Sequence, residues 1–195
     1  MTAGVSLGDD LRAIADLLAT RAVDGSTTDA VTEHLAAARA VLEAAAPEPH
    51  AYTLDPTDRG VAVAHHDRFG PVRGLDNVVA PPLVFGAPVM RDGVSVVNAV
   101  ARCGPRYEGP RGLVHGGILA ACFDEVLAIA QRDAGFAGVT RELNVRYRKP
   151  VRIDEPLVFT AWIEQDDGRR ALGRAACHVG DELRADAAAE FAKPR

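Results

Sequence analysis

The sequence predicts an α+β protein in which an antiparallel sheet wraps one long, buried helix. Residues 118–130 are almost continuously apolar, and the length of that run favours a buried helix over a strand. Shorter segments follow it at close spacing, and in one of them, 157–165, apolar residues alternate with others at the period of a strand. Because a helix that is apolar nearly all round needs cover, we predict that the sheet provides it.

The individual elements follow from turn signals between the apolar segments. We expect Gly135 to end the helix. The sequences Asp166-Asp167-Gly168 and Gly180-Asp181 are typical of hairpin turns, which would join the last strands into an antiparallel meander. The predicted strands are one before the helix and four after it, over residues 94–101, 140–148, 157–165, 170–179 and 183–191.

Two amphipathic helices are predicted over residues 7–46. Their apolar stripes at helical spacing are Leu7, Leu11, Ile14 and Leu18 in the first, and Val31, Leu35, Ala38 and Leu42 in the second. Ser6 followed by Asp9 resembles a capping box, and Thr27 or Thr28 is expected to cap the second helix before Pro47 stops it. Such helices bury little alone, so we expect them to pack on the main domain, on a partner chain, or as a lid.

Three regions are therefore predicted. Residues 1–46 form an N-terminal helical extension, residues 47–82 a long loop or linker, and residues 83–195 the main domain. The linker is rich in Pro, Gly, Asp and His, with one short strand predicted at 61–64. His65-His66 could begin a metal site, but no carboxylate or thiolate at ligand spacing supports one, so no metal and no cofactor are expected.

Composition excludes several classes of protein. The 195 residues are 48% apolar and 25% charged, typical of a soluble domain. A formal net charge of −5 gives no general attraction to nucleic acid or anionic lipid. No run approaches the roughly 20 apolar residues of a membrane helix, and the N-terminus lacks the pattern of a signal peptide. We therefore expect a soluble, cytoplasmic protein, with its three widely spaced cysteines, Cys103, Cys122 and Cys177, as buried free thiols.

The first chemical signal is Gly116-Gly117, immediately before the long helix. Glycines there let a ligand oxygen approach backbone N–H groups that lack helical partners, at the positive end of the helix dipole. A tight turn that needs small residues explains the pair equally well. His115, just before the glycines, is either a simple cap or turn residue or part of the same site.

Asp124-Glu125 is the second signal, because carboxylates within a buried helix are costly unless paired. Burial raises the pKa of a carboxyl group, which suits a general base. The alternative is an ion pair between one of them and an arginine such as Arg141 or Arg146, and the residues alone leave both readings open. Thr140 alone would pass for an ordinary strand residue.

Together these residues resemble a known family. The segment EGPRGLVHGGILAACFDEVLAIA with the later VTRELNVRYRKPV is similar to the hotdog-fold acyl-CoA thioesterases, in particular the PaaI group and the mammalian thioesterase superfamily members that carry HGG. The likeness covers roughly residues 94–191. It rests on HGG, an acidic residue nine positions after the His, and a T-x-x-L-x-V-x-Y-x-x-P strand.

The resemblance implies roles for individual residues. Asp124 matches the catalytic carboxylate, which activates water or attacks the thioester carbonyl, and Gly117, with Gly116 beside it, would polarise the thioester oxygen. His115 would shape that corner, and Thr140 matches a threonine that holds the attacking water in some members. The basic residues expected near coenzyme A phosphates are Arg146, Arg148 and Lys149. The implied reaction is hydrolysis of an acyl-CoA.

Helix geometry predicts that the site is shared between two chains. Gly116 and Asp124 lie eight residues apart on one helix, about 12 Å along its axis, too far for both to meet one thioester carbon. This agrees with the family's dimers, so we predict a homodimer, or a tetramer built as a dimer of dimers.

Two rival functions remain. Several PaaI-group members have an asparagine where this chain has Gly109, which leaves room for a protein that binds acyl-CoA or lipid without turning it over. A hotdog hydratase would use an Asp-x4-His pair. Asp29 and His34 have that spacing, but they lie in the predicted second helix, outside the domain of the resemblance.

Overall fold

The computed structural model describes residues 7–46 and 66–193. These residues form two compact units, one made of 7–46, 66–70 and 74–78, the other of 71–73 and 79–193. The predicted strand over 61–64 lies outside the described residues, as do Ser6, Pro47 and His65.

The two predicted N-terminal helices are confirmed as α1 (Leu7–Thr20) and α2 (Gly25–Glu43). The predicted cap of α2 is wrong, because Asp24 fills that position and accepts a hydrogen bond from the Thr27 N–H at 2.7 Å. A carboxylate binds these first-turn donors well at the positive end of the helix. The same bond holds the pKa of Asp24 below its ordinary value.

Within the first unit, α1 approaches residues 74–78 closely. Arg12 donates hydrogen bonds to the carbonyls of Leu75, at 2.5 Å, and Asn77, at 3.3 Å. Gly8 is buried at this contact, and a Cβ there would lie 2.5 Å from the Leu75 oxygen, so the approach requires a glycine. No residue of α2 is buried in the described structure.

The second unit is a seven-stranded antiparallel sheet against one helix, α3 (Gly116–Asp133). Its strands are β1 (Val84–Phe85), β2 (Val89–Arg91), β3 (Val94–Arg102), β4 (Val139–Tyr147), β5 (Pro156–Asp166), β6 (Arg170–Val179) and β7 (Glu182–Ala192). The long helix and the five predicted strands are thereby confirmed, whereas β1 and β2 were not predicted.

The predicted meander is wrong in one connection. The sheet order is β1-β3-β5-β6-β7-β4, with β2 on β3, so β4 pairs with β7 and only β5, β6 and β7 form a meander. Residues 148–155 do not turn the chain back on itself, and within them Arg152 forms an isolated bridge with Leu113. As a result, β4 is an edge strand.

The core lies between α3 and the sheet. Phe123 of α3 and Phe159 of β5 are both fully buried and meet edge to face, with ring centroids 5.3 Å apart. The prediction of buried free thiols is confirmed for all three cysteines. Burial raises the pKa of the Cys103 thiol to about 11 and that of Cys177 to about 12, so both stay protonated at neutral pH.

One side of α3 is only partly covered. Residues such as Leu119, Val126 and Ala130 are buried against the sheet, whereas Ala121, Asp124 and Ala128 on the other side are half-buried. The sheet therefore does not wrap the helix completely within one chain. Among the described residues, no helix is both long and apolar enough to cross a membrane.

Candidate active site

His115 caps the N-terminus of α3. Its backbone is extended, and its Nδ1 accepts a hydrogen bond from the Gly117 N–H at 2.9 Å. A neutral imidazole that accepts at Nδ1 carries its proton on Nε2. The side chain is exposed, so this geometry offers an Nε2–H donor at the start of the helix.

Of the two glycine N–H groups at this helix end, one is engaged by a side chain and the other is not. The Gly117 N–H, which the resemblance assigned to the thioester oxygen, is engaged by His115. Gly116 is the first helical residue, so its N–H has no partner within the helix. In the described part of the chain, no acceptor outside the helix is found for the Gly116 N–H either. The sequence pattern alone could not distinguish the two, because the choice depends on the His115 side chain.

Asp124 and Thr140 are brought together. The Thr140 hydroxyl donates a hydrogen bond to Asp124 Oδ1 at 2.9 Å, linking the middle of α3 to the start of β4. Asp124 is half-buried and Thr140 is exposed. No ion pair with Asp124 is found within residues 7–46 and 66–193.

Glu125, the neighbouring carboxylate, has a different environment. Its side chain is 8% exposed and forms an ion pair with Arg73 at 3.0 Å and a longer one with Arg132 at 3.8 Å. An ion pair with an arginine is thus confirmed for Glu125, but the predicted partners are wrong: Arg141 pairs with Glu190 instead. Arg73 lies in the predicted linker, where no local pattern marks it.

We predict that replacing Glu125 with glutamine destabilises the protein without touching the candidate site. The change removes the negative charge that pairs with the Arg73 guanidinium, which is 14% exposed. Removing one partner of a buried ion pair costs about 3 kcal/mol of unfolding free energy, measurable by urea denaturation.

The matched control for this variant is Glu164→Gln, which breaks an ion pair with Arg174 whose side chains are 41% and 48% exposed. Solvent-exposed pairs of this kind contribute about 1 kcal/mol or less. Equal losses of stability in the two variants would contradict the structural role of Glu125.

The basic residues near the end of β4 are partly neutralised. Arg148 forms an ion pair with Asp186, and Lys149 forms one with Glu182. The hydrogen bond to Asp186 raises the pKa of Arg148 and lowers that of Asp186. Arg146 lies on the outer face of the sheet, where a cavity of about 340 Å³ is lined by it together with residues such as Trp162 and Arg174. Neither His115 nor Asp124 lines that cavity.

Gly109, which replaces the expected asparagine, is tightly packed. A Cβ at this position would lie 2.9 Å from the Cα of His115 and 3.0 Å from its Cδ2. The His115 ring and backbone therefore take up the space where a longer side chain would begin. An asparagine here would require the helix start to shift.

The other sequence candidates lie elsewhere. Asp29 and His34 are both exposed on α2. His66 begins a helical turn over 66–69, and its carbonyl accepts from the Gly70 N–H at 2.8 Å. Among the described residues, no group of three or more His, Cys, Asp or Glu side chains could hold a metal ion.

A long helix lying against one antiparallel sheet, with HGG at its N-terminus, defines the second unit as a hotdog domain. Residues 111–172 match the sequence model of the Thioesterase superfamily. A crystal structure of a thioesterase superfamily protein aligns with a TM-score of 0.79 at 29% identity, covering 94% of this chain and 92% of that one. The predicted hotdog fold, with helices ahead of it, is thereby confirmed.

Two named proteins are also similar. The human acyl-coenzyme A thioesterase THEM5 is 26% identical over 100 residues, which is 51% of this chain but only 39% of the human protein. The PaaI protein of E. coli, from the phenylacetic acid degradation operon, shares the fold with a TM-score of 0.51 at 16% identity over 57% of this chain and 82% of that one. The predicted resemblance to the hotdog-fold thioesterases is confirmed by the family match over residues 111–172, and the similarity to the PaaI protein shows the shared fold.

Proposed function

We propose that the protein hydrolyses acyl-CoA thioesters, with Asp124 as the catalytic carboxylate. The observation that carries the proposal is that two adjacent carboxylates, those of Asp124 and Glu125, have different partners. Glu125 is buried in an ion pair with Arg73, whereas the side-chain partner of Asp124 among the described residues is a neutral donor, the Thr140 hydroxyl. Within the described residues no cation is paired with Asp124, so its carboxylate is available as a base or nucleophile. The match to the Thioesterase superfamily gives the reaction class.

Two parts of the site have separate roles in the reaction: the start of α3 binds the thioester oxygen, and Asp124 promotes the attack on the thioester carbon. The thioester oxygen would accept from the Gly116 N–H, at the positive end of α3, which stabilises the charge that develops on this oxygen. Thr140 binds one oxygen of Asp124 and leaves the other available. That oxygen takes a proton from the attacking water, or attacks the thioester carbon itself before water releases the acid. In the first route the C–S bond breaks and the coenzyme A thiolate takes the proton that Asp124 accepted from water. In the second route the C–S bond breaks as the anhydride with Asp124 forms, and the thiolate is protonated by water, which then hydrolyses the anhydride.

The contacts of β4 support a site shared between two chains. Its two ends contact the two parts of the candidate site, the carboxylate of Asp124 and the glycines at the start of α3. Thr140, near its start, contacts Asp124, and Tyr147, its last residue, contacts Gly116. We propose that β4 of a second copy pairs antiparallel along this free edge. Because the two strands would run antiparallel, the start of β4 in one copy, with Thr140, would lie near the end of β4 in the other, with Tyr147, bringing Asp124 of one chain towards Gly116 of its partner.

The coenzyme A phosphates are proposed to bind Arg146, Arg148 and Lys149, at and beyond the end of β4. Arg148 and Lys149 hold carboxylates at the surface, with side chains 42% and 56% exposed. Such exposed pairs are weak, so a phosphate with about two charges can replace the carboxylate. Arg146 has no ion-pair partner among the described residues.

A protein that binds acyl-CoA without hydrolysis is the second candidate, supported by the absence of a side chain at Gly109. Such a binder has no use for a half-buried carboxylate with the environment of Asp124. The two candidates differ in one measurable property, which is release of free coenzyme A.

The test is a panel of acyl-CoAs with short, long, branched and aromatic acyl groups. Released thiol is followed with a chromogenic disulfide reagent, to which the three buried cysteines contribute no background. We expect hydrolysis of at least one class. Tight binding of acyl-CoAs by calorimetry without any hydrolysis would support the binder instead, and neither binding nor hydrolysis would overturn both.

A further inference from the structure

Tyr147 is placed against the start of α3 in two independent ways. Its hydroxyl donates a hydrogen bond to the Gly116 carbonyl at 2.7 Å. Its ring lies against the Gly116 Cα, where an added Cβ would come within 3.3 Å of the ring Cζ and the hydroxyl oxygen. The glycine is therefore constrained by the tyrosine as well as by the helix.

The backbone around Tyr147 is held in the sheet by hydrogen bonds to β7. Tyr147 pairs with Ala185 of β7, and the next two N–H groups, of Arg148 and Lys149, both donate to the Arg184 carbonyl, at 2.8 Å and 3.0 Å. The residue is nevertheless 52% exposed. An exposed aromatic ring on a fixed backbone contributes little to the core. It is better suited to holding a neighbouring group in place.

The bond to Gly116 lies within a continuous chain of hydrogen bonds. The carbonyl that accepts from Tyr147 belongs to the same peptide group as the Gly117 N–H, which donates to His115 Nδ1. Fixing this peptide plane fixes one side of Gly116, a residue whose backbone would otherwise be permissive. Linked bonds of this kind also strengthen one another.

We propose that Tyr147 is a positioning residue for the thioester oxygen, acting through Gly116. This inference rests on the proposed hydrolysis. The hydroxyl holds the Gly116–Gly117 peptide so that the preceding Gly116 N–H and the His115 ring keep their directions. Tyr147 itself takes no part in bond making or breaking. A small displacement of an oxyanion donor lowers the rate of the chemical step more than it weakens substrate binding.

The test is Tyr147→Phe, which keeps the ring and removes the hydroxyl. We expect kcat to fall about 3- to 10-fold, the effect of one neutral hydrogen bond, with KM and Tm nearly unchanged. Amide hydrogen exchange should become faster in a peptide covering residues 112–120. The matched control is Tyr107→Phe, because the Tyr107 hydroxyl also donates to a carbonyl, that of Ala80, and its removal leaves in place the bond from the His115 N–H to the Tyr107 backbone carbonyl. That variant should lower Tm and leave kcat unchanged.

The possible outcomes separate this inference from the proposed function. Wild-type kcat in Tyr147→Phe overturns the positioning role while leaving the hydrolase standing. A rise in KM with unchanged kcat would mean that Tyr147 contacts the substrate, which also overturns it. If the wild-type protein hydrolyses no acyl-CoA, the proposed function fails, and unchanged exchange over 112–120 in Tyr147→Phe would then remove the positioning role as well.

Discussion

Replacing Asp124 with asparagine should lower kcat for acyl-CoA hydrolysis at least about 100-fold while leaving the fold intact. The amide has the shape of the carboxylate, and its oxygen can still accept from the Thr140 hydroxyl, which lies 2.9 Å from Oδ1 in the wild-type protein. It can neither take a proton from water nor attack a carbonyl. The measurement is steady-state thiol release with the best substrate of the panel, with Tm as the check on folding.

The control for this variant is Asp133→Asn on the same helix. Asp133 accepts from the Ser95 hydroxyl at the other end of α3, about 13 Å further along the axis. It thus has a hydroxyl partner as Asp124 does, but lies far from Gly116. We expect its kcat to stay within about twofold of wild type. Comparable activity in Asp124→Asn and wild type would remove Asp124 from the mechanism and with it the proposed assignment.

The elements that local pattern determines could be predicted from the sequence. The apolar run over 118–130 has a length and density that only a buried helix fits, and α3 extends it by a few residues at each end. Gly135, which ends the predicted helix, has a φ of +79°, a conformation that glycine adopts without strain. The turn at Gly168, with a φ of +82°, was predictable for the same reason.

What could not be predicted depends on contacts between residues distant in the chain. Alternation of apolar residues identifies β4 as a strand but does not say whether it pairs with β5 or β7. Two- and three-residue strands such as β1 and β2 are too short to show alternation. The ion pair of Glu125 with Arg73 spans more than fifty residues, and nothing near Arg73 in the sequence indicates a buried position.

In the candidate site too, local spacing could be predicted from the sequence and long-range contacts could not. The HGG motif and Asp124 were recognisable because their spacing is fixed along one helix. The partner of each N–H was not, since the direction of the His115 ring decides that Gly117 is engaged and Gly116 is not. Tyr147 was recognisable as the tyrosine of the T-x-x-L-x-V-x-Y-x-x-P strand, but no role followed for it from that motif. Only the packing of the end of β4 against the start of α3 reveals its contact with Gly116.

A mixed dimer of two inactive variants should recover about half of the wild-type activity if the site is shared between chains. One chain carries Asp124→Asn and the other Gly116→Val, whose side chain would collide with the Tyr147 ring and cover the N–H. In the mixed dimer, one site combines the intact Gly116 of the first chain with the intact Asp124 of the second. The other site contains both defects.

The experiment uses co-expression of the two chains with different affinity tags, so that two successive purifications isolate the mixed dimer. Each variant alone, purified in the same way with both tags, gives the baseline. If each site were complete within one chain, every site in the mixed dimer would carry one defect and activity would stay at that baseline. Because Gly116 and Asp124 lie about 12 Å apart along one helix, too far to meet one thioester carbon, we expect recovery rather than the baseline. Light scattering on the same sample tests the predicted dimer or tetramer, and a monomer would contradict the pairing of β4 between copies.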